Sequence, residues 1–422
     1  MTLAQTHENE PLRIGFVMLH TSPQDVPGTK DAGGMNVVVR AHAEALADAG
    51  HEVTIFTRRS DSCTPDREIL RPGLSVVHLT AGPARLLAKG EHEAVMGEFE
   101  RELDRSLAEV PVDLLHAEHW FSGIAALPVA RRIGIPALVS FHSIAAPPES
   151  PFADGERPES PGRLAGERRL AAEADLVVAV SEAERQTVLE RLSGDADRVR
   201  VVQLGVDTAL FYPCTTQECA EERDWVRSGG RPEAIVVGRL HPLKGIELAI
   251  EAVAAIPQAE RPALRIVGAS PPDGDAYARI LHDAVARHGM LGTTSFDGAL
   301  RRGEIAERIR RAALMLVPSH SETFGLVALE AAASGVPVIA RDAGGLRESV
   351  RDGETGVLVS GDDPRAWAAQ IAELLGDPGR LAEMGARARE YAVRRSWRAS
   401  AEQLVGVYRE VLASAGSRQP AP

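Results

Sequence analysis

Leu314-Met315-Leu316-Val317-Pro318-Ser319-His320-Ser321-Glu322-Thr323-Phe324-Gly325-Leu326-Val327-Ala328-Leu329-Glu330 decides the fold. Its first four residues are an unbroken apolar run, the mark of a short strand buried on both faces of a parallel sheet. A polar turn follows. Residues 322–334 then read as a helix, which Gly335 and Pro337 stop. Eight residues of helix advance about 12 Å with a modest rotation. That reading puts Glu322 at the mouth of a site and Glu330 deeper on the same side. Between them the amides of Thr323, Phe324, Gly325 and Leu326 are expected to face outward at a helix N-terminus, which favours an anion. Hydroxyls at both ends with a diphosphate in the middle would suit this layout, as in a nucleotide sugar. Two glutamates eight apart are more often solvated or ion-paired, so the pair gains meaning only from what surrounds it.

Outward from this segment, apolar runs alternate with helical stretches along the whole chain. Strands are expected at residues 12–19, 52–57, 74–79, 113–116, 136–141, 175–180 and 199–204. Gly205-Val206-Asp207 and Phe211-Tyr212-Pro213 mark a crossing, and residues 214–231 read as a linker or surface insertion. The pattern restarts at 233–237, 263–267, 293–296, 314–317, 336–340 and 356–359. Alternating β and α implies an α/β protein with two doubly wound, Rossmann-like parallel sheets facing across a cleft. The expected division is a loose tail at 1–11, one domain at 12–205, a second at 206–395, and a final helical segment at 396–422.

The chain has 422 residues, enough for two such domains, and a net charge of −13 that argues against nucleic acid or an anionic membrane as partner. No apolar run approaches a transmembrane length, and the polar, acidic N-terminus is no secretory signal. Cys63, Cys214 and Cys219 are too few for a disulfide framework and lack the neighbours of a zinc site. A cytoplasmic protein acting on small molecules is the expectation; a homodimer is left open.

Several residues follow strand ends, where open parallel sheets bind ligands. His119 and His142 lie there in the first half; no convincing metal-ligand set accompanies them. Ala32-Gly33-Gly34-Met35-Asn36 opens a helix, either as a hinge or to let backbone approach a substrate. It is not the dinucleotide fingerprint, because its turn is too long and its glycines are adjacent. Arg239 and Lys244, five apart before a helix, can meet one anion from two sides. The cluster Arg301, Arg302, Arg308, Arg310 and Arg311 reads as a solvated helix face with Glu304 and Glu307. The Pro-rich acidic loop 146–161 is a candidate for mobility.

Pro-Ser-x-Ser before Glu322, Phe-Gly between the glutamates, and Ala-Ser-Gly-Val-Pro-Val-Ile-Ala after them resemble the donor site of glycosyltransferase family 4. The match extends to Val237-Gly-Arg-Leu-His-Pro-Leu-Lys244. The resemblance implies a retaining enzyme of the B-type glycosyltransferase fold, with the last helix packed back on the first half. It implies that Arg239 and Lys244 hold a donor diphosphate, that Glu322 meets the sugar hydroxyls, and that Glu330 binds the ribose. Gly34, Thr323, Phe324, Gly325 and Leu326 complete the donor set, and Arg239, Lys244, Glu322 and His142 form the catalytic set. A UDP- or GDP-sugar would be the donor, with no further cofactor and no metal.

His20-Thr-Ser-Pro23 and Asp31-Ala-Gly-Gly-Met-Asn36 resemble more narrowly the inositol-phosphate N-acetylglucosaminyltransferases of mycothiol biosynthesis. There the acceptor set would be Asn36, Lys89, His119, Ser143 and Arg163, with Lys89 and Arg163 on the acceptor phosphate. This chain departs from that family on the acceptor side. His119 replaces a tyrosine, Ser143 a threonine, Val38 a tyrosine, and prolines follow Ala146 where a lysine is usual. The departures suggest a paralogue of specialised metabolism, for example one glycosylating the sulfur of an ergothioneine-like thiol in lincosamide biosynthesis. The alternative is transfer of N-acetylglucosamine to D-inositol 3-phosphate. A sugar-nucleotide-binding regulator is the non-enzyme rival, against which the intact Arg239, Lys244, Glu322 and Glu330 count.

Overall fold

A computed structural model describes residues 10–25, 33–214, 230–270 and 275–416. The first sheet takes β1 (Arg13–Met18), β2 (Glu52–Arg58), β3 (Arg67–Arg71), β4 (Leu74–Leu79), β5 (Leu114–Glu118), β6 (Ala137–Ser140), β7 (Leu176–Ala179) and β8 (Val199–Val201). The second takes β9 (Glu233–Val237), β10 (Ala263–Val267), β11 (Thr294–Gly298), β12 (Leu314–Val317), β13 (Val338–Arg341) and β14 (Gly356–Val359). The spatial orders are β3-β4-β2-β1-β5-β6-β7-β8 and β11-β10-β9-β12-β13-β14. These are two parallel α/β sheets, as the apolar runs imply, except at one edge.

That edge is β3. It pairs antiparallel with β4, and its sequence, Arg-Glu-Ile-Leu-Arg, carries too much charge to read as a buried strand. The charge suits its place, because a charged edge strand resists pairing with another chain. Elsewhere, period-two alternation splits each strand between two cores. Val17 packs on one face of the first sheet while Phe16 and Met18 pack on the other. Leu314 and Leu316 likewise part company with Met315 and Val317.

In each sheet the strand order reverses beside the first strand: β1 lies between β2 and β5, and β9 between β10 and β12. Crevices at such switch points open at the carboxyl ends of the strands. The ends of β1 and β5 present His20 and His119; those of β9 and β12 lead to Arg239 and to the Pro318–Gly325 turn.

The helix Trp397–Gly416 crosses back onto the first sheet. Leu404 and Tyr408 join Ile14, Phe16 and Val39 in one core, and His42 Nε2 meets Ser400 Oγ at 2.8 Å. Gly205 lies where two passages of chain touch, since a Cβ there would stand 2.4 Å from the Trp397 nitrogen. Burial keeps His116 neutral by lowering its pKa and keeps the Tyr408 phenol protonated by raising its own. Tyr408 therefore donates to His116 Nδ1 (2.8 Å), whose Nε2–H donates to Ser140 Oγ (2.9 Å). Cys63 is free and exposed, whereas Cys214 is disulfide-bonded, which the cysteine count did not anticipate. Among the described residues no helix is long and apolar enough to cross a membrane.

Tyr408→Phe leaves the buried His116 Nδ1 without its donor and should cost about 1–3 kcal/mol of stability. Urea unfolding reads this directly; an unchanged midpoint would contradict a docked terminal helix.

Candidate active site

The second-half wall begins where β9 ends. Gly268 adopts φ +146, and a Cβ on it would lie 1.8 Å from the Gly238 carbonyl, so the two strand ends touch with no room for a side chain. His241 Nδ1 accepts the Leu243 N–H (3.1 Å), starting the short turn Pro242–Lys244. This turn aims Lys244 at Glu322, with Nζ to Oε1 at 2.5 Å.

The helix here is Leu326–Ala333, four residues shorter at its start than the spacing predicts. Gly325 takes the left-handed conformation (φ 88) and ends helical propagation toward Glu322. Glu322 therefore belongs to a loop, held where the Gly345 N–H donates to its carbonyl (2.8 Å). The eight-residue helical offset between the glutamates is thus corrected. Glu330 still reaches the cleft wall, one turn into the helix. Its carboxylate pairs with Arg302 (2.8 Å). Burial pushes the Glu330 carboxyl up, and Arg302 opposes that rise. Arg302, read from sequence as part of a solvated face, instead sits over the Phe211 ring and lines the cleft.

Across the cleft, the His20 and His119 rings lie tilted against each other with centroids 4.4 Å apart, and Phe121 is 5.1 Å from His119. Burial first, then nearby charge including Lys89 and Arg163, pushes both imidazoles well below their usual pKa, so both are neutral. Among the described residues, His20 Nδ1 and both His119 nitrogens have no hydrogen-bond partner. His142 behaves oppositely. Burial alone would lower it, but its hydrogen-bonded partner Glu118 outweighs burial and raises it. Burial would raise Glu118, but His116 and His142 bring it down. Both shifts favour the ionised form of the pair, imidazolium and carboxylate. The His142 carbonyl also accepts a hydrogen bond from Thr323 Oγ1 (2.9 Å), tying the two walls together.

Glu156 stands at the centre of the first-half wall. Its Oε2 accepts from Lys89 Nζ (3.1 Å), Ser143 Oγ (3.0 Å) and Arg163 Nη1 (3.2 Å), and its Oε1 faces Arg239 Nη2 at 3.6 Å. Burial would raise this carboxyl, yet Lys89, Arg163 and Arg239 together hold it well below the usual carboxylate range. The loop carrying it is pinned rather than loose: the Ala146 N–H donates to the Glu156 carbonyl (2.8 Å) and Arg157 to the Pro147 carbonyl (2.9 Å).

A cavity of 310 Å³ joins these walls. Gly34, Arg239, Lys244, Glu322, Thr323, Phe324, Gly325, Leu326 and Glu330 all line it, as do Lys89, His119, His142 and Ser143. Asn36 and Arg163 do not. Asn36 spends its amide on Thr21 Oγ1 (2.8 Å), the Ser22 carbonyl (2.7 Å) and the Gly33 N–H (3.0 Å), holding the loop from behind. Arg163 is 0% exposed and divides its guanidinium among Glu156, Glu159 and Glu167. Sequence reasoning missed Glu118, Glu156 and Arg302. Glu118 and Arg302 were findable by the strand-end argument applied to the histidines. Glu156 had only its neighbour Gly155 as a signal.

Two parallel sheets with a cationic crevice between their switch points match known proteins closely. A family model described as Glycosyltransferase Family 4 matches residues 32–210, and one described as Glycosyl transferases group 1 matches residues 220–391. The D-inositol 3-phosphate glycosyltransferase of Thermobispora bispora is 39% identical over 409 residues, covering 95% of both chains. Its namesake from Salinispora arenicola is 37% identical, covering 96% of this chain and 93% of the other. Sucrose-phosphate synthase from Thermosynechococcus elongatus superposes with a TM-score of 0.85 at 31% identity, over 96% of this chain and 100% of that one. Anabaena HepE, solved with UDP-glucose, has the same fold at 21% identity (TM-score 0.74, 94% and 100% covered). The fold and the matches together define a glycosyltransferase of the two-domain B type. The chain belongs to glycosyltransferase family 4.

The His142–Glu118 pair has a defined pH signature. Because the folded His142 pKa is raised, its contribution to stability is full below the ordinary value of about 6.5 and is lost as pH rises through the raised value. In Glu118→Gln, burial is left largely unopposed and the His142 titration, followed by NMR, should fall below that ordinary value. A titration that stays raised in the variant would contradict the pairing.

Proposed function

We propose that this enzyme transfers a sugar from a nucleotide-diphosphate sugar, with retention of anomeric configuration, to a small polar acceptor. The division of labour follows the sheets: residues 12–205 hold the acceptor, residues 206–395 hold the donor, and residues 396–422 brace the first domain. One observation carries the reading. Arg239, Lys244 and the N-terminus of the helix Leu326–Ala333 converge on one side of the cleft, with Glu330 one turn further in. That is a diphosphate site beside a carboxylate suited to ribose hydroxyls. The donors bound in neighbouring structures of the same fold, UDP and UDP-glucose, agree with it.

The chemistry follows from charge. As the glycosidic bond to the diphosphate breaks, negative charge grows on the leaving oxygens. Fixed cations and helix amides aimed at that point stabilise the transition state more than the ground state. The state of the carboxylates argues against both a glycosyl-enzyme intermediate and base-assisted inversion. Glu322 is tied to Lys244, Glu118 to His142, and Glu156 to three cations. A carboxylate held by cations is a poor nucleophile and a poor base, unlike the paired groups of a glycosidase. The acceptor is therefore proposed to attack on the leaving-group face and to pass its proton to a departing phosphate oxygen. His142, positively charged and anchored to both walls, orients the Thr323 turn and adds charge near that oxygen.

Two acceptor classes follow from the relatives and from the departures. D-inositol 3-phosphate is supported by the relatives' names and by Lys89 and Ser143 on the wall. A thiol or thione of the ergothioneine kind is supported by the neutral His119 and by the occupied cation pocket. Purified enzyme offered UDP- and GDP-sugars should release nucleoside diphosphate only when a correct acceptor is present. Lys244→Ala should lower kcat by about 10²-fold or more with a smaller rise in KM, since its interaction strengthens as charge develops. A change in KM alone would mean that Lys244 binds ground state and transition state equally.

A further inference from the structure

The acceptor side of the cleft already contains an anion. We infer that the acceptor brings no phosphate to Lys89 and Arg163, because Glu156 occupies the position where those cations and Ser143 converge; this rests on the transferase reading above. Three donors meet one oxygen of Glu156 at 3.0–3.2 Å, from Ser143, Lys89 and Arg163. That arrangement of two cations and a hydroxyl about one oxygen is what a phosphate oxygen would require. A phosphate entering here would lose those donors to the carboxylate and meet its negative charge at close range.

Glu156 is not free to leave by a backbone movement. Gly155 precedes it at φ 132, where a Cβ would lie 2.4 Å from the Ile144 carbonyl. Residues Ala145 and Glu156 form a parallel bridge. The cations are equally fixed. Arg163 has no exposure and is also held by Glu159 (2.6 Å) and Glu167 (2.8 Å), so it cannot follow a ligand into the cleft. Lys89 balances Glu156, and the local charge is satisfied before any ligand arrives.

Apart from Lys89, committed to Glu156, and His142, committed to Glu118, what this wall leaves open to an acceptor is neutral. His20 and His119 line the cavity, their rings tilted against each other with Phe121 buried behind them, and His20 Nδ1 and both His119 nitrogens are buried without a hydrogen-bond partner among the described residues. Neutral imidazoles donate one hydrogen bond and accept one. The acceptor class that fits is a neutral or zwitterionic small molecule, bound through uncharged hydrogen-bonding groups and carrying no phosphate.

Calorimetry on the full chain, saturated with whichever of UDP or GDP binds, tests this with D-inositol 3-phosphate as probe. Wild type should bind the probe weakly, and Glu156→Ala at least about ten-fold more tightly. Glu156→Gln, which keeps the side chain's shape, should fall between and guards against a folding defect in the alanine variant. Wild-type binding as tight as, or tighter than, both variants would overturn the inference, making Glu156 a placeholder that yields to phosphate. Nucleotide titration of the wild type is the separate check: failure to bind either diphosphate would overturn the transferase reading and the inference with it.

Discussion

A guanidinium without access to water is tolerated only when its charge is matched, and Arg163 is such a group. Removing a charge from water costs several kcal/mol, which partners must offset. Three glutamates do so here, and two of them, Glu156 and Glu159, come from the Pro-rich loop between β6 and the helix Arg163–Glu173. The loop is thereby ordered by electrostatics. Having been drawn to Arg163, Glu156 is brought to Lys89 and, across the cleft, to Arg239. A buried cation in the first domain thus shapes the wall proposed for the acceptor and, through Glu156, reaches Arg239, which is proposed to hold the donor.

The two sides of the cleft are built on different principles. On the proposed donor side, glycines remove side chains so that backbone and cations can crowd one point: Gly268 against Gly238, and Gly245 against the Pro318 carbonyl. On the proposed acceptor side, burial sets the charge states. It holds His20 and His119 neutral, while Glu118 overrides the same burial and favours the charged form of His142. Three histidines within one wall therefore offer different chemistry, decided by whether a carboxylate lies within hydrogen-bond reach.

Much of this was legible in the sequence. Strands buried on both faces are predominantly apolar, so β1, β2, β4 and β12 announced themselves, and the strand-end rule located His119, His142, Arg239 and Lys244. The failures share a cause. β3 is an edge strand whose charge is its adaptation to solvent, so it lacks the apolar signature. The helix was started too early because Gly325 takes the left-handed conformation that ends it, at a close approach to Leu346 and Ser349 that no local pattern records. Arg302 looked like its solvated neighbours and is distinguished by distant partners, Glu330 and the Phe211 ring. Glu156 is defined entirely by tertiary partners.

The central claim is that the cleft is organised to hold a diphosphate through Arg239, Lys244 and the amides at Leu326. The most direct measurement compares, by calorimetry, the affinities of a nucleoside diphosphate and the monophosphate of the same base. The account predicts a preference for the diphosphate of at least about ten-fold, since charge-assisted hydrogen bonds are worth about 1.5–3 kcal/mol each. That preference should collapse in Arg239→Ala. Equal affinities for the two nucleotides in the wild type would contradict it.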